Sequence, residues 1–468
     1  MLYEFDKLDS VSDEVLAKLL NFVLEPPVET IDLSEAIYSS GGLALPPQPK
    51  VEFINHAVLE NKVGVSKAGQ LFTAVDQVVS LMPYREYVKL KSLGDRQRLE
   101  LFHKWKDIVV ANTKLLHELS LEDIKAEDEK KASVMLIAPS ERQLSVVRGK
   151  WAQWAWKPVA YDGSETPKAS GWISEIAEIA GALAREGIKP VIVLDKHGDY
   201  GDYRHLVNGF TRVEVEIPEG MAKIGYSRDQ SVTWFEKPII CNMALDLRRG
   251  EELVLNEIYY ELKKPPIARA RWCFVNGKLL RASMEGGNFF VIKTEDEVVL
   301  LTGVGVRGSN VATIEFLANL LPDGIRVIAV PIAGYVNDWK MGAVHLDVVF
   351  AYLGLMGSSR YALVDPARMG FYSVLEYDRE KKEFKLIEFP LLMKQLGIRI
   401  SEPPREGASP ITMVNALNLG KGKIISDWYN HAVNEYVERV LGVEVIEVKI
   451  PQIEAGGGGV RCATRELW

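Results

Sequence analysis

Cysteine is scarce in this sequence. Three cysteines in 468 residues (Cys241, Cys273 and Cys462) do not make a disulfide framework or a cysteine-rich zinc site. The expected compartment is therefore reducing and cytoplasmic, with Cys462 a free thiol. Positive charge is short as well. Lysine and arginine number 56 against 64 acidic residues, for a net charge of −8, and no basic stripe marks a nucleic-acid surface. No apolar run approaches the ~18 residues that would read as a membrane span. The start, Met1-Leu-Tyr-Glu-Phe-Asp-Lys7, lacks the basic-then-apolar pattern of a signal peptide. No metal or organic cofactor is implied, and neither nucleic acid nor membrane is an expected partner.

What is present is a 47% hydrophobic composition, enough for one large domain or two to three ordinary ones. Residues 1–131 read as a mainly helical extension. Val11–Leu24, Ala74–Met82 and Asp95–Leu119 carry helical spacing, with Ser12 and Asp13 as start signals. The Pro-rich stretch Leu43–Lys50 reads as a loop, and the charged run Glu122–Lys131 as a solvated helix end or linker. His56, His103 and His117 stand at no catalytic or ligand spacing. Their expected place is packed or exposed.

From Ala132 the texture changes to an α/β pattern. Val134–Ala138 and Leu144–Val147 read as strands, Ile173–Glu186 as a helix ended by Gly187, and Val191–Leu194 as a buried strand. The cadence of strand, strand, helix, strand then recurs through Val443–Val448, a structural repeat of roughly 60 residues argued from pattern rather than residue identity. Ser231–Asn242 and Val344–Leu353 are expected as strands within it. Trp151, Trp154, Trp156 and Tyr161 read as core aromatics before they read as a pocket wall.

Four short motifs carry the chemistry: Tyr226-Ser-Arg-Asp229, Met284-Glu-Gly-Gly-Asn288, Val344-His-Leu-Asp-Val348, and the run Gly456–Gly459 leading to Cys462. Four consecutive glycines bury no side chain and cost conformational entropy. They suit a backbone that must take positive φ or lie flat against a neighbour. A period of two would put His345 and Asp347 on one face of a strand. Singly, each motif has a bland reading: a turn cap with Arg228 as its surface partner, a loop carboxylate, a satisfied core pair. Together they supply a thiol, an imidazole and three carboxylates. That set suits a guanidinium, which is planar, cationic and rich in N–H donors. Carboxylates can clamp it with charge-assisted bonds while its carbon faces a nucleophile.

On these motifs the sequence resembles the guanidino-group-modifying enzymes: arginine deiminases, agmatine deiminases, dimethylarginine hydrolases and arginine amidinotransferases. The resemblance covers about residues 135–468. Tyr226–Asp229 is similar to Phe-Thr-Arg-Asp of the deiminases and Glu285–Asn288 to their Glu-Gly-Gly-Asp. His345–Phe350 is similar to His-Leu-Asp-Thr-x-Phe, and Gly456–Cys462 to the glycine run before the nucleophile. It implies the pentein fold, an α/β propeller of five pseudo-symmetric ββαβ units, over residues 132–468. It implies Cys462 as nucleophile, His345 as general acid then base, Glu285 as its orienting partner, and Asp229 and Asp347 as the guanidinium clamp. Arg307, in Gly303-Val-Gly-Val-Arg307, aligns with an arginine that holds the substrate carboxylate. Arg228, Asn415, Gly458 and Gly459 fall to substrate binding.

Three departures bear on substrate. Lys223 stands where deiminases carry Asn, Met243-Ala244 where they carry Arg, and their helical insertion ahead of Phe-Thr-Arg-Asp is missing. Met243-Ala244, Asn415-Ala-Leu-Asn418 and the Gly-Gly-Gly-x-x-Cys ending look more like the amidinotransferases. The leading expectation is thus an arginine amidinotransferase passing the amidino group through Cys462 to a small amine acceptor and releasing ornithine. The alternative is a deiminase yielding citrulline and ammonia, and a third class is a binding protein on a pentein scaffold with an unreactive cysteine. Assembly as a homo-oligomer stays open, with residues 1–131 either a dimerisation element or a lid.

Overall fold

The protein is described from a computed structural model, for all residues except 1–4, 33–49, 146–155, 222, 276, 306, 333–342 and 370–372. The chain divides into two compact units. One comprises Met1–Asp123, Lys237–Met284 and Ser309–Asp323; the other Ile124–Glu236, Glu285–Gly308 and Gly324–Trp468. This differs from a single cut after residue 131, because the N-terminal segments recruit residues 237–284 and 309–323. Among the described residues no helix is long and apolar enough to cross a membrane.

In the first unit, helix Asp13–Leu24 opens where the Ser12 hydroxyl accepts from the Val15 amide at 3.4 Å, satisfying one orphan donor of the first turn. Its apolar stripe buries Leu16, Leu19, Leu20 and Val23. Helix Ala68–Ser80 is buried nearly all round, so its polar residues need partners. Asp76 pairs with Arg271 at 2.6 Å, and the Gln77 amide brackets the Arg269 backbone, donating at 2.7 Å and accepting at 3.0 Å. An antiparallel sheet joins Glu29–Asp32, Lys50–Asn55, Lys278–Arg281 and Trp272–Val275. The strands from the N-terminal segment were not expected from the sequence.

The second unit repeats one connection. Two strands pair antiparallel through a tight turn, a helix follows, and a third strand joins parallel, as a parallel neighbour requires a crossover. Phe350–Met356, Ser359–Val364, helix Phe389–Gln395 and Ile398–Ser401 form one such module. Leu417–Gly420, Lys423–Asp427, helix His431–Leu441 and Glu444–Val448 form the next. A third takes its first strand, Thr464–Leu467, from the chain's end and pairs it with Ser133–Ala138, followed by helix Ala169–Arg185 and Lys189–Asp195. Phe289–Lys293, Val298–Val304 and Ile325–Pro331 repeat the strand pattern. The architecture is α/β, and no closed sheet is formed among the described residues.

Several local expectations change. Val344–Leu353 is not one strand: Leu346–Val348 is a 3-10 turn and the strand starts at Phe350. His345 and Asp347 therefore do not share a face by strand alternation. Ser231–Asn242 contains only the two-residue strands Ser231–Val232 and Ile239–Ile240. Leu144 ends a helical turn, Glu141–Leu144, at whose start the Ser140 amide donates to the Gln143 side chain at 2.9 Å, and the Ser145 hydroxyl bonds back to the Arg142 carbonyl at 3.3 Å; Val146 and Val147 of that expected strand, with Trp151 and Trp154, lie outside the described residues. Trp156 is core, packed on Trp172 and Tyr226. The run Glu122–Lys131 is not simply solvated. Lys131 is 1% exposed, its ammonium held by the carbonyls of Glu127 and Glu129.

Candidate active site

Each chemical motif of the second unit stands just ahead of a strand. Asp229 precedes Ser231–Val232, Glu285 precedes Phe289–Lys293, and His345 and Asp347 precede Phe350–Met356. Asn415 precedes Leu417–Gly420, and Cys462 precedes Thr464–Leu467. A turn at the mouth of a strand frees the side chain from the ladder while the strand fixes its root, which makes such positions suitable for reacting groups.

The glycine run does both things its composition predicts. Gly457 takes φ of 89°, in the left-handed region, while a Cβ on Gly459 would stand 2.7 Å from Asn415 Oδ1. The backbone thus lies against Asn415, whose Oδ1 accepts from the Cys462 amide at 3.1 Å. Asn415 Nδ2 reaches Cys462 Sγ at 3.1 Å and the Asp347 carbonyl at 3.0 Å. The Asp347 carboxylate lies 3.7 and 3.9 Å from the same sulfur. Cys462 itself is 4% exposed.

His345 is held at both nitrogens. Nε2 bonds Glu285 Oε2, and Nδ1 lies 3.4 Å from Asp229 Oδ1. Gly287 makes this approach possible, since a Cβ there would meet His345 Nδ1 at 2.8 Å. Asn288 ties the neighbouring segments, accepting from the Leu346 amide at 3.2 Å and donating to the Arg307 carbonyl at 3.2 Å. Glu285 Oε2 also receives Arg307 Nη2 at 2.7 Å. Asp229, Glu285 and His345 could each offer one atom to a divalent cation. With a carboxylate near each ring nitrogen, the same three could instead pass a proton.

Electrostatics follow from burial and charge. Burial pushes the Cys462 thiol well up, and the Asp347 and Asp229 carboxylates push it further. Burial also raises the Asp347 carboxyl, against Arg461 and His345, which draw it down. A neutral thiol beside paired carboxylates is an electronegative pocket waiting for a cation.

The structure brings Cys462, Asp347 and Asn415 together as one cluster, and His345, Glu285, Asp229 and Arg307 as another. Gly459 adjoins Asn415, and Gly458 lies against the Tyr226 ring. Arg307 is placed on Glu285. Arg228 is buried rather than a surface partner of Asp229: Nη1 pairs with Glu466 at 2.6 Å and Nε donates to the Arg461 carbonyl at 3.1 Å. Sequence reasoning missed Arg461 and Glu127. Arg461 donates to Asp347 at 3.0 Å and to both Glu127 oxygens at 2.9 and 3.1 Å. Adjacency to Cys462 was the available signal for Arg461. Nothing local singles out Glu127 among its charged neighbours. Lys223, where the resemblance expects Asn, bonds the Gly456 carbonyl and stands 4.3 Å from the centre of the Trp156 ring.

With both clusters sited, the sequence can be set beside known proteins. Residues 204–360 match the arginine deiminase family model. That span carries Asp229, Glu285, Arg307, His345 and Asp347, so the resemblance to guanidino-group-modifying enzymes is borne out over the stretch that holds them. An uncharacterized Bacillus subtilis protein, YkgA, is 24% identical over 256 residues, 54% of this chain and 73% of that one. Among solved structures, the cyanobacterial arginine dihydrolase ArgZ superposes with a TM-score of 0.47 at 13% identity, over 72% of this chain and 40% of that chain. A dimethylarginine dimethylaminohydrolase adduct with S-methyl-L-thiocitrulline gives 0.43 at 15% identity, over 72% and 99%.

Proposed function

We propose that the protein is a cysteine-dependent arginine amidinotransferase. The observation that carries guanidino chemistry is the pairing of a thiol, held by Asn415 and Asp347, with an imidazole held between Glu285 and Asp229. In this reading the cationic guanidinium of L-arginine enters between Asp229 and Asp347. Its charge offsets the carboxylates that keep Cys462 protonated, and the thiol proton is released to solvent as the substrate binds, to return when product leaves. The thiolate attacks the central carbon, giving a neutral tetrahedral adduct. Imidazolium His345 protonates the alkyl nitrogen, the C–N bond breaks, and ornithine departs, leaving an amidino group on Cys462. A small amine then attacks that carbon and gives its proton to His345. The C–S bond breaks, and thiolate and a new guanidinium are released. Glu285 and Asp229 orient the ring.

The glycine ending and Asn415-Ala-Leu-Asn418 support amine transfer. A second reading, hydrolysis to citrulline and ammonia, is favoured by the arginine deiminase match. We take the recurring modules to be parts of a five-unit pentein propeller spanning residues 132–468, with cytoplasmic residence. Incubation with arginine, with and without glycine, lysine or diamines, tests the assignment. Ornithine formed only with an acceptor, alongside a new guanidino compound, supports transfer. Citrulline and ammonia formed without one would replace it with hydrolysis, and no product with any guanidine would overturn both.

A further inference from the structure

The second unit contains a further polar cavity of about 20 Å³, bounded by Arg228, Arg461, Arg465, Thr233, Glu127 and Glu466 among others. That volume holds one water-sized occupant. Two buried donors in its wall have no protein partner: Arg228 Nη2 and Thr233 Oγ1, on residues 1% and 5% exposed. A buried guanidinium donor and hydroxyl left unmatched are costly unless something fills the space.

The surrounding charges say what that something is. Both wall carboxylates are already engaged. Glu466 takes Arg228 Nη1 at 2.6 Å and lies 3.5 Å from Arg465, and Glu127 takes Arg461. Burial works against the Glu466 carboxylate, yet Arg228, Arg465, Lys131 and Arg461 hold it well below the usual range. Burial likewise opposes Glu127, and Arg461 holds it down. Lys125 also lines the cavity, and Lys131 is buried beside Glu127. Of the lining residues, the four cations Arg228, Arg461, Arg465 and Lys125 thus stand against the two carboxylates Glu127 and Glu466. A cation would be repelled here. A water would match the donors and leave the charge excess untouched, whereas an anion answers both.

We propose that this cavity binds one small monovalent anion of halide size, held by Arg228 Nη2 and Thr233 Oγ1 and sharing Arg461 with the Asp347–Cys462 cluster. The site needs no arginine and stands apart from the amidinotransfer assignment.

Bromide is the probe. Crystals of the full chain soaked in sodium bromide should show an anomalous peak in contact with both donors. In solution, replacing sodium gluconate by sodium bromide at constant ionic strength should raise Tm, in step with the logarithm of bromide once it exceeds the dissociation constant. Thr233→Val removes one donor and leaves the arginine pairs intact. It should move the onset of that rise to about tenfold higher bromide, as expected for losing one bond to a charged group. An ordered water with no anomalous signal overturns the proposal. So does a Tm that bromide leaves unchanged, or a bromide response identical in wild type and Thr233→Val.

Discussion

Asp347→Asn should make Cys462 more reactive toward a simple electrophile while making the protein a worse catalyst. The carboxylate lies 3.7 Å from the sulfur at its nearest and is among the charges that disfavour the thiolate. Two unit charges about 4 Å apart interact by roughly 4 kcal/mol at an effective dielectric near 20. Asparagine keeps the shape and removes the charge. It also turns Arg461, now facing Glu127 alone, into a less compensated cation that favours thiolate. Even a third of the Coulomb figure corresponds to about a tenfold change in thiolate population. The assay is iodoacetamide labelling near neutral pH, resolved by peptide mass spectrometry because Cys241 and Cys273 are also thiols outside any disulfide. Labelling of Cys462 in the variant should be about tenfold faster or more, and arginine turnover slower, since half the proposed clamp is gone. Unchanged or slower labelling would refute the claim that Asp347 restrains the thiol.

Three other outcomes are expected. Glu285→Gln removes the carboxylate at His345 Nε2, and turnover should fall by about 10²–10⁴, the range of general acid–base catalysis; steady-state kinetics that match wild type would remove Glu285 from the proposed chemistry. Arg461→Met strands Glu127 and Asp347 as buried carboxylates, which should cost about 3–5 kcal/mol in urea unfolding; a loss below about 1 kcal/mol would mean the pairs are energetically idle. Asp427, buried under Tyr161 and Thr412, is raised by burial from 3.8 to about 6. Because the folded state then binds its proton more tightly, this group's stabilisation is present below pH 4 and lost as pH rises through 6. Asp427→Asn should therefore gain on wild type by up to about 3 kcal/mol across that window, and a pH-independent difference in unfolding free energy would contradict the assignment.

Much of the site was legible because its chemistry is local. Glycines before Cys462, two glycines after Glu285 and the His-Leu-Asp triplet are each meaningful within a few residues. What could not be read was how they meet. The periodicity argument placed His345 and Asp347 on one strand face. A 3-10 turn at Leu346–Val348 instead sends His345 to Glu285 and Asp229, and Asp347 to Cys462. Arg228 read as a surface residue, yet its charge is matched by Glu466 from the chain's end. Glu127 sat in a run whose composition says solvent.

The sequence by itself determined the candidate reacting groups and the alternation of strand and helix, since residue chemistry and hydrophobic period are properties of short stretches. Tertiary structure alone decided which carboxylate serves which cation. Thr464–Leu467 pairs with Ser133–Ala138 across a separation of 334 residues at Ser133 and Leu467, which brings Arg461 onto Glu127. Burial then sets the protonation of Cys462 and Asp347, because desolvation and through-space charge depend on neighbours that no window of sequence contains.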